Sequence, residues 1–319
     1  MSAETIGKFG QMLLALAVFA AVFGGILVFA SLFRGRAGER VQSAAFVAPT
    51  LLLIAVGLLY PAALTIRESF IVDGSGTAGV QNYVDIFTGS ENLTVLRNTA
   101  LWVVLVPFFA TALGLLYAIL VDRSRFEAVA KALIFFPMAI SMVGASIIWK
   151  FMYEYRPSSR PQIGVFNGIL TSLGVDSRQF LLDSPQNTLY LIAVMVWIQA
   201  GFAMTVLSAA IKAIPDDILE AASLDGVSAW QRFRFVTLPS IRPAVVVVMI
   251  TIAIGTLKVF DIVRTMTGGQ FQTSVIANEF YNAVFRYDRP GLGAAFAVLL
   301  FILVIPIIVY NTVQMRKDA

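Results

Sequence analysis

At 319 residues the chain is long enough for one or two soluble domains, yet 58% of its residues are hydrophobic and 13% charged, against ~25% charged in soluble proteins. A mean hydropathy of +0.82 means more apolar surface than a soluble fold of this size can bury, and a lipid bilayer is the solvent that accepts it. The absence of cysteine and histidine excludes disulfides, thiolate nucleophiles, His-based triads and Cys or His metal sites, and a net charge of +4 is too small and too dispersed for nucleic acid.

A membrane-crossing helix needs about 20 mainly apolar residues. In chain order, windows of that kind fall at residues 9–33, 41–66, 98–121, 184–211 and 290–315. Two shorter windows, 132–149 and 243–257, reach full length if Lys150 snorkels and the second run continues to Phe260. The expectation is an all-α polytopic protein with seven spans. Pro49, Pro61, Pro107, Pro137 and Pro306 are compatible with it, because neighbouring helices in a membrane satisfy the freed carbonyls. The window 9–33 also fits a cleaved signal peptide, but its apolar stretch of 25 residues exceeds the roughly 7–15 of a signal core. It reads as a helix added to a six-span core, with Arg34, Arg36 and Arg40 in a polar hinge. Residues 1–43 are thus expected to be an extra helix and hinge, and 44–319 the main domain.

Positive charge sets orientation. With the C-terminus cytoplasmic, the inner segments hold twelve Lys and Arg residues and the outer segments nine. The short loop 122–131, with Arg123, Arg125 and Lys131, belongs inside. The outer segments 67–97, 154–183 and 264–289 are each too short for a separate domain. Asp73-Gly74-Ser75-Gly76 reads as a turn, and Asn82-Tyr83 with Phe87 as a short packed element.

The inner segment 212–242 does not read as a linker. Lys212, Arg232, Arg234 and Arg242 balance Asp216, Asp217, Glu220 and Asp225, so it is no polybasic lipid binder. Pro215-Asp216-Asp217 opens a helix with acidic groups where the helix dipole favours them. The expected helix 217–225 carries Ala221 and Ala222 on a small-residue surface, and Gly226 can take the positive φ that stops it. Ser228 and Gln231 have capping-box spacing for a second helix, which Pro239 is expected to end. Two short helices meeting at a glycine make a rigid knuckle able to carry a push into the spans it joins.

Glu220-Ala221-Ala222, three residues, Gly226, nine residues, then Val236-Thr237-Leu238-Pro239 resembles the EAA loop of bacterial ABC-importer permeases, with Val236 in place of the more usual isoleucine. The likeness extends to carbohydrate importers of the maltose and α-glucoside type. Pro61, Ser69-Phe70, Gln81-Asn82-Tyr83 and Arg97-Asn98-Thr99 are similar to that group's opening. Phe136-Pro137, Asn167-Gly168 and Gly174 are similar to its middle. Phe260-Asp261 and Thr267-Gly268-Gly269 resemble its last outer loop, although Gln270 departs from the usual ending. The resemblance runs from about Ala44 to the C-terminus.

It implies the type I ABC importer permease fold in the bacterial inner membrane and a non-catalytic subunit forming half of a sugar pathway. The implied partners are a second permease, two cytoplasmic ATPases that bind ATP and Mg, and an extracytoplasmic sugar-binding protein; the chain itself needs no cofactor. Glu220, Ala221, Ala222, Asp225, Gly226, Leu238 and Pro239 are the implied ATPase-coupling residues. No Gly-x-x-x-x-Gly-Lys-Ser/Thr loop occurs, so the energy must come from another chain. Met266-Thr267-Gly268-Gly269-Gln270 looks a little like the ATPase signature, but it follows a span on the expected outer side and reads as chance.

A sugar site needs aromatic faces and amide or hydroxyl groups near the midplane. Trp197, Gln199 and Phe202 on the fifth span, and Thr251, Thr256 and Lys258 on the sixth, are the candidates. Helix–helix glue and lipid-facing packing are the competing accounts. An autonomous secondary transporter or channel using Lys258 and Asp261 is the alternative function, although a local ion pair explains that pair as well.

Overall fold

The structure is a computed structural model that describes residues 3–31, 35–122, 124–157 and 159–318. Arg34 of the expected hinge and Arg123 of the basic loop lie outside the described residues. The chain divides into two compact units, Met1–Arg67 and Glu68–Ala319.

The first unit holds α1 (Ala3–Ser31) and α2 (Gly35–Ile54), which continues through a π-helical turn, Ala55–Leu59, into α3 (Tyr60–Ser69). Pro49 sits within α2, as expected of a membrane helix. The π turn lies just before Pro61, whose ring crowds the carbonyl four residues back. The ladder slips by one residue there, and Tyr60 donates to the Ala55 carbonyl.

The second unit begins with α4 (Gln81–Thr88) and α5 (Ser90–Val121), followed by α6 (Glu127–Phe135). A 3-10 turn, Phe136–Ala139, leads to α7 (Met142–Met152), then α8 (Val165–Ser172) and α9 (Gln186–Lys212). Beyond α9 come α10 (Asp216–Leu224), α11 (Ala229–Arg232), a second π turn (Phe233–Thr237) and α12 (Leu238–Ser240). The chain ends with α13 (Arg242–Leu257), α14 (Asp261–Met266), α15 (Ile276–Phe285) and α16 (Pro290–Asp318). One antiparallel bridge, Ile71 to Ala78, is isolated.

Four helical stretches are long and apolar enough to cross a membrane: Gln42–Ser69, Ser90–Val121, Gln186–Lys212 and Pro290–Tyr310. Two bent pairs raise the number to six among the described residues. The first of the seven expected spans falls on α1 (Ala3–Ser31). The expected straight helix at 132–149 is corrected: Glu127–Ala139 and Met142–Met152 meet at 101°. Pro137 sits in the first turn of the 3-10 segment, Ile140 is extended, and the Ser141 hydroxyl accepts from the Gly144 N–H at 3.0 Å to start α7 afresh. The sixth span stops at Leu257 and does not run on to Phe260.

The main core lies between α5 and α9, where Trp102, Val106, Leu191, Met195, Met204 and Leu207 are fully buried. Lipid offers no hydrophobic drive for helix pairing, so close packing must supply it. Glycine permits that closeness at two points. A Cβ on Gly114 would lie 2.4 Å from the Ala203 Cβ, and one on Gly201 would lie 2.5 Å from the Ile134 carbonyl oxygen. α9 is thereby seated against both α5 and α6.

At the end of the bundle away from the α9 C-terminus, Asp73 accepts from the Gly291 and Leu292 N–H groups at 2.8 and 2.9 Å and caps α16. Arg289 reaches Asp85 at 2.9 Å. Hydrogen bonds from Gln81 and Arg289 hold the Asp85 carboxyl below its ordinary range, so this tie is present at neutral pH and is lost only as pH falls through that lowered value.

Gly114→Leu is expected to destabilise the detergent-solubilised protein by ~1–3 kcal/mol through overpacking. Gly168→Ala, whose Cβ meets nothing within 4 Å, is the control and is expected to leave the thermal midpoint unchanged or slightly raised.

Candidate functional site

The knuckle hangs between the end of α9 and the start of α13. Pro215 is extended, and Asp216 and Asp217 occupy the first turn of α10, where the exposed N–H groups favour them. The helix is Asp216–Leu224, one residue earlier at both ends than expected. Asp225 is its C-cap, and Gly226 adopts φ +70° and reverses the chain. No heavy atom lies within 4 Å of where a Gly226 Cβ would stand, so backbone conformation alone demands glycine there.

The expected capping box forms. Gln231 N–H donates to the Ser228 hydroxyl at 3.3 Å, and the Gln231 side-chain oxygen accepts from the Ser228 N–H at 2.8 Å. The Arg232 guanidinium reaches the Ser223 hydroxyl at 3.4 Å and ties α11 back to α10. Pro239 does not end the second helix, contrary to expectation. The ladder widens into the π turn Phe233–Thr237, Leu238 donates to the Phe233 carbonyl, and helix continues to Ser240. The break falls at Ile241, and the stretch Ala229–Ser240 meets α13 at 67°.

The knuckle keeps a free face. Glu220, Ala221, Asp225, Gly226 and Pro239 are exposed, Leu238 is half-buried, and Ala222 alone of the seven coupling candidates is buried. A cleft of about 390 Å³ lies between the knuckle and the span ends, its walls mixing Ile119, Ile211, Leu219 and Phe233 with Asp122, Asp216, Glu220 and Arg232. Leu224, Trp230 and Phe235 are 88%, 64% and 69% exposed. The sequence reading passed over these three; large apolar residues in an otherwise polar loop were the available signal.

The candidates for sugar contact are less well gathered. Trp197 packs edge-on against Trp149 at 5.6 Å and lines an apolar cleft of about 620 Å³ with Leu105, Phe109 and Pro137. None of the other five candidates lines that cleft. Gln199 and Phe202 are half-buried on α9, and the Gln199 amide has no hydrogen-bond partner among the described residues. Thr251 is exposed, Thr256 is buried, and their hydroxyls donate to the Val247 and Ile252 carbonyls of their own helix at 2.8 Å. Lys258 is exposed at the end of α13, while Asp261 opens α14, so the two do not share a helix. No ion pair joins the two among the described residues.

At the opposite end of the unit, buried asparagines hold the loops. Asn98 on α5 donates to the Gln272 and Ser274 carbonyls at 2.6 and 3.0 Å, and Asn187 on α9 to the Phe271 carbonyl at 2.7 Å. Phe271 and Gln272 have φ +55° and +60°, a conformation this tethering maintains. A Cβ on Gly269 would come within 2.2 Å of the Asn278 amide, so Thr267-Gly268-Gly269 is a packed turn. Asn82 likewise donates to the Ser69 and Ile71 carbonyls, and Asn167 to those of Glu154 and Arg178.

Residues 101–316 match the family model described as "binding-protein-dependent transport system inner membrane component". The chain is 46% identical over 268 residues to the osmoprotective compounds uptake permease protein GgtC of Synechocystis, an alignment covering 83% of this chain and 96% of that protein. It is 41% identical over 286 residues to the alpha-glucoside transport system permease protein AglF of Rhizobium meliloti, covering 89% and 85%. Its fold matches a chain of a bacterial alginate ABC transporter crystallised with an alginate pentasaccharide-bound periplasmic protein, with a TM-score of 0.75 at 21% identity, over 89% of this chain and 98% of that one. An all-helical chain with four to six apolar crossings, an EAA-type knuckle and this extent of likeness is a multi-pass membrane protein that belongs to the family of inner-membrane components of binding-protein-dependent transport systems, the permease subunits of ABC importers.

Proposed function

We propose that this chain forms half of the membrane pathway of an ATP-driven importer for a di- or oligosaccharide of the α-glucoside class, coupled to a cytoplasmic ATPase through the knuckle. The carrying observation is the knuckle itself: two short helices locked at Gly226 and by the Ser228 capping box, with Glu220 on a free face. A rigid body joined to two spans is the lever that alternating access requires. The relatives' names support the substrate class, since AglF is an alpha-glucoside permease at 41% identity. Residues 1–43 act as an added helix and hinge, and 44–319 as the transport domain, with the C-terminus in the cytoplasm.

The chain carries no phosphate loop, so ATP and Mg are held by two ATPase partners. A second permease completes the pathway, and an extracytoplasmic binding protein delivers the sugar. ATPase closure pulls on Glu220, Ala221, Ala222, Asp225, Gly226, Leu238 and Pro239. Exposed Leu224, Trp230 and Phe235 supply apolar contact beside the charged one. Of the sugar-contact candidates, Gln199 fits best, because a half-buried amide without a partner among the described residues is costly in a membrane unless a ligand or another helix meets it. Trp197, Phe202, Thr251, Thr256 and Lys258 complete the proposed set.

Glu220→Ala is expected to weaken co-purification with the ATPase and to lower ATP-dependent uptake by about tenfold, the scale of one charge-assisted hydrogen bond. Unchanged co-purification would remove its assigned role. Gly226→Val should abolish coupled uptake while leaving membrane insertion intact, because a β-branched residue resists φ +70°; Gly226→Asn, which tolerates that conformation, should retain most of it. Gln199→Leu should depress sugar-stimulated transport, and an unaltered substrate profile would clear Gln199 of contact. Reconstitution of the chain alone in liposomes separates this reading from an autonomous carrier: uptake without ATPase and binding protein would overturn it.

A further inference from the structure

The knuckle is covalently continuous with α9 and α13 only, yet its root is tied ionically to two other helices. Lys212, the last residue of α9, forms an ion pair with Glu127 in the first turn of α6. Glu127 is shared: Lys131, one turn on, approaches the same oxygen at 2.8 Å. Lys131 also reaches Asp122, just past the end of α5, at 2.5 Å, and donates to the Ser208 hydroxyl on α9 at 2.5 Å. Ser208 in turn donates to Asp122 at 2.7 Å. Among the described residues, two carboxylates and two ammonium groups thus meet across three helices.

The set is shielded at its centre and open at its rim: the side chains of Asp122, Lys131 and Glu127 are 8%, 24% and 26% exposed, and that of Lys212 is 50% exposed. Among the described residues the second Asp122 oxygen is buried without a hydrogen-bond partner, and the first takes its counter-charge from Lys131 and a hydrogen bond from Ser208. Removing Lys131 would strand the shielded Asp122 carboxylate, and such a pair keeps a fixed geometry. The same three helices are locked further along by glycine, α5 to α9 at Gly114 and α9 to α6 at Gly201. Ionic contacts at the knuckle end and close packing higher up hold α5, α6 and α9 at separated points, which suppresses both sliding and rocking. α6 then leads into the 101° bend before α7, so displacement of α6 reorients a fourth element.

We infer that Asp122, Glu127, Lys131, Ser208 and Lys212 are positioning residues that make α5, α6 and α9 move as one block when the knuckle is pulled, with Glu127 as the bridge. This rests on the importer reading above. A lone solvated pair would contribute little and its loss would go unnoticed; Lys212 is half-exposed, but its partner Glu127 is shared with the shielded Lys131 and through it with Asp122. A transmission network has a different signature: its loss lets the ATPase cycle while the pathway fails to follow.

The chain has no cysteine, so an introduced pair is unique within it. The test uses the complete complex in proteoliposomes, measuring uptake and ATP hydrolysis on the same vesicles, with Glu127→Cys, Lys212→Cys and the double variant. Each single variant is expected to assemble and hydrolyse ATP while uptake per ATP falls about fivefold or more. A reducible bifunctional maleimide spanning the lost pair should restore uptake per ATP in the double variant only, and reduction should abolish the recovery. Wild-type stoichiometry in the single variants, or a double variant that stays uncoupled although the link has formed, would overturn the network. If a cysteine variant fails to assemble, Glu127→Gln, which keeps shape and loses charge, is read in the same assay with the same two outcomes. Amide hydrogen exchange in α6 of the isolated chain gives a readout independent of transport. It should rise in Glu127→Gln, and unchanged exchange would count against the network even if the importer reading failed.

Discussion

The close approach of α9 to α5 and α6 is the constraint on which the rest of this unit depends. It exists because Gly114 and Gly201 lack a side chain where Ala203, Met204 and Ile134 come within reach. In lipid an apolar helix gains nothing by leaving its acyl neighbours unless it finds a surface that packs better. Gly114 and Gly201 make that surface, and the fully buried Trp102, Val106, Met195 and Leu207 follow from it. Under the proposed coupling, a pull on a knuckle attached to a loose helix would move only that helix, whereas the knuckle here is attached to α9, which is packed against α5 and α6.

A second constraint is polar. Segments between spans must satisfy their backbone groups without water, and this chain does so with asparagine. Asn82, Asn98, Asn167 and Asn187 each direct an amide into carbonyls of a distant turn, and all four side chains are completely buried. One amide group supplies two donors, enough to hold two carbonyls of an irregular turn in place. Several residues that carried the family resemblance, among them Asn82, Tyr83, Asn98, Thr99 and Asn167, are therefore scaffolding: they shape the end of the pathway remote from the knuckle.

Proline has three outcomes here, and neighbouring structure decides which. Pro107 is absorbed within α5 and Pro306 within α16. Pro61 and Pro239 each follow a π turn, where the ladder slips to spare the crowded carbonyl. Pro137 starts a 3-10 turn that ends in a 101° bend. At the knuckle, the slip before Pro239 carries the second helix up to Ile241, which is 2% exposed and anchors the joint. Stiffness of the lever thus rests on a ladder that continues through a proline expected to stop it.

Much of this was legible from local sequence. Hydropathy located the long crossings, because a bilayer selects for apolar length alone, and the knuckle's two helices, its Gly226 reversal and its Ser228 cap were readable because caps and positive φ depend on adjacent residues only. What hydropathy cannot encode is direction: it counts apolar residues without saying whether they lie in line, so the window 132–149 reads as one span where the structure bends by 101°. Nor does spacing along the chain reveal partners, and only tertiary structure brought Asn98 to Gln272, Lys212 to Glu127, and Trp197 to Trp149 instead of to Gln199's side of α9. Residues two apart on a helix point about 200° from one another, and what each of them meets is settled by the helices packed around it.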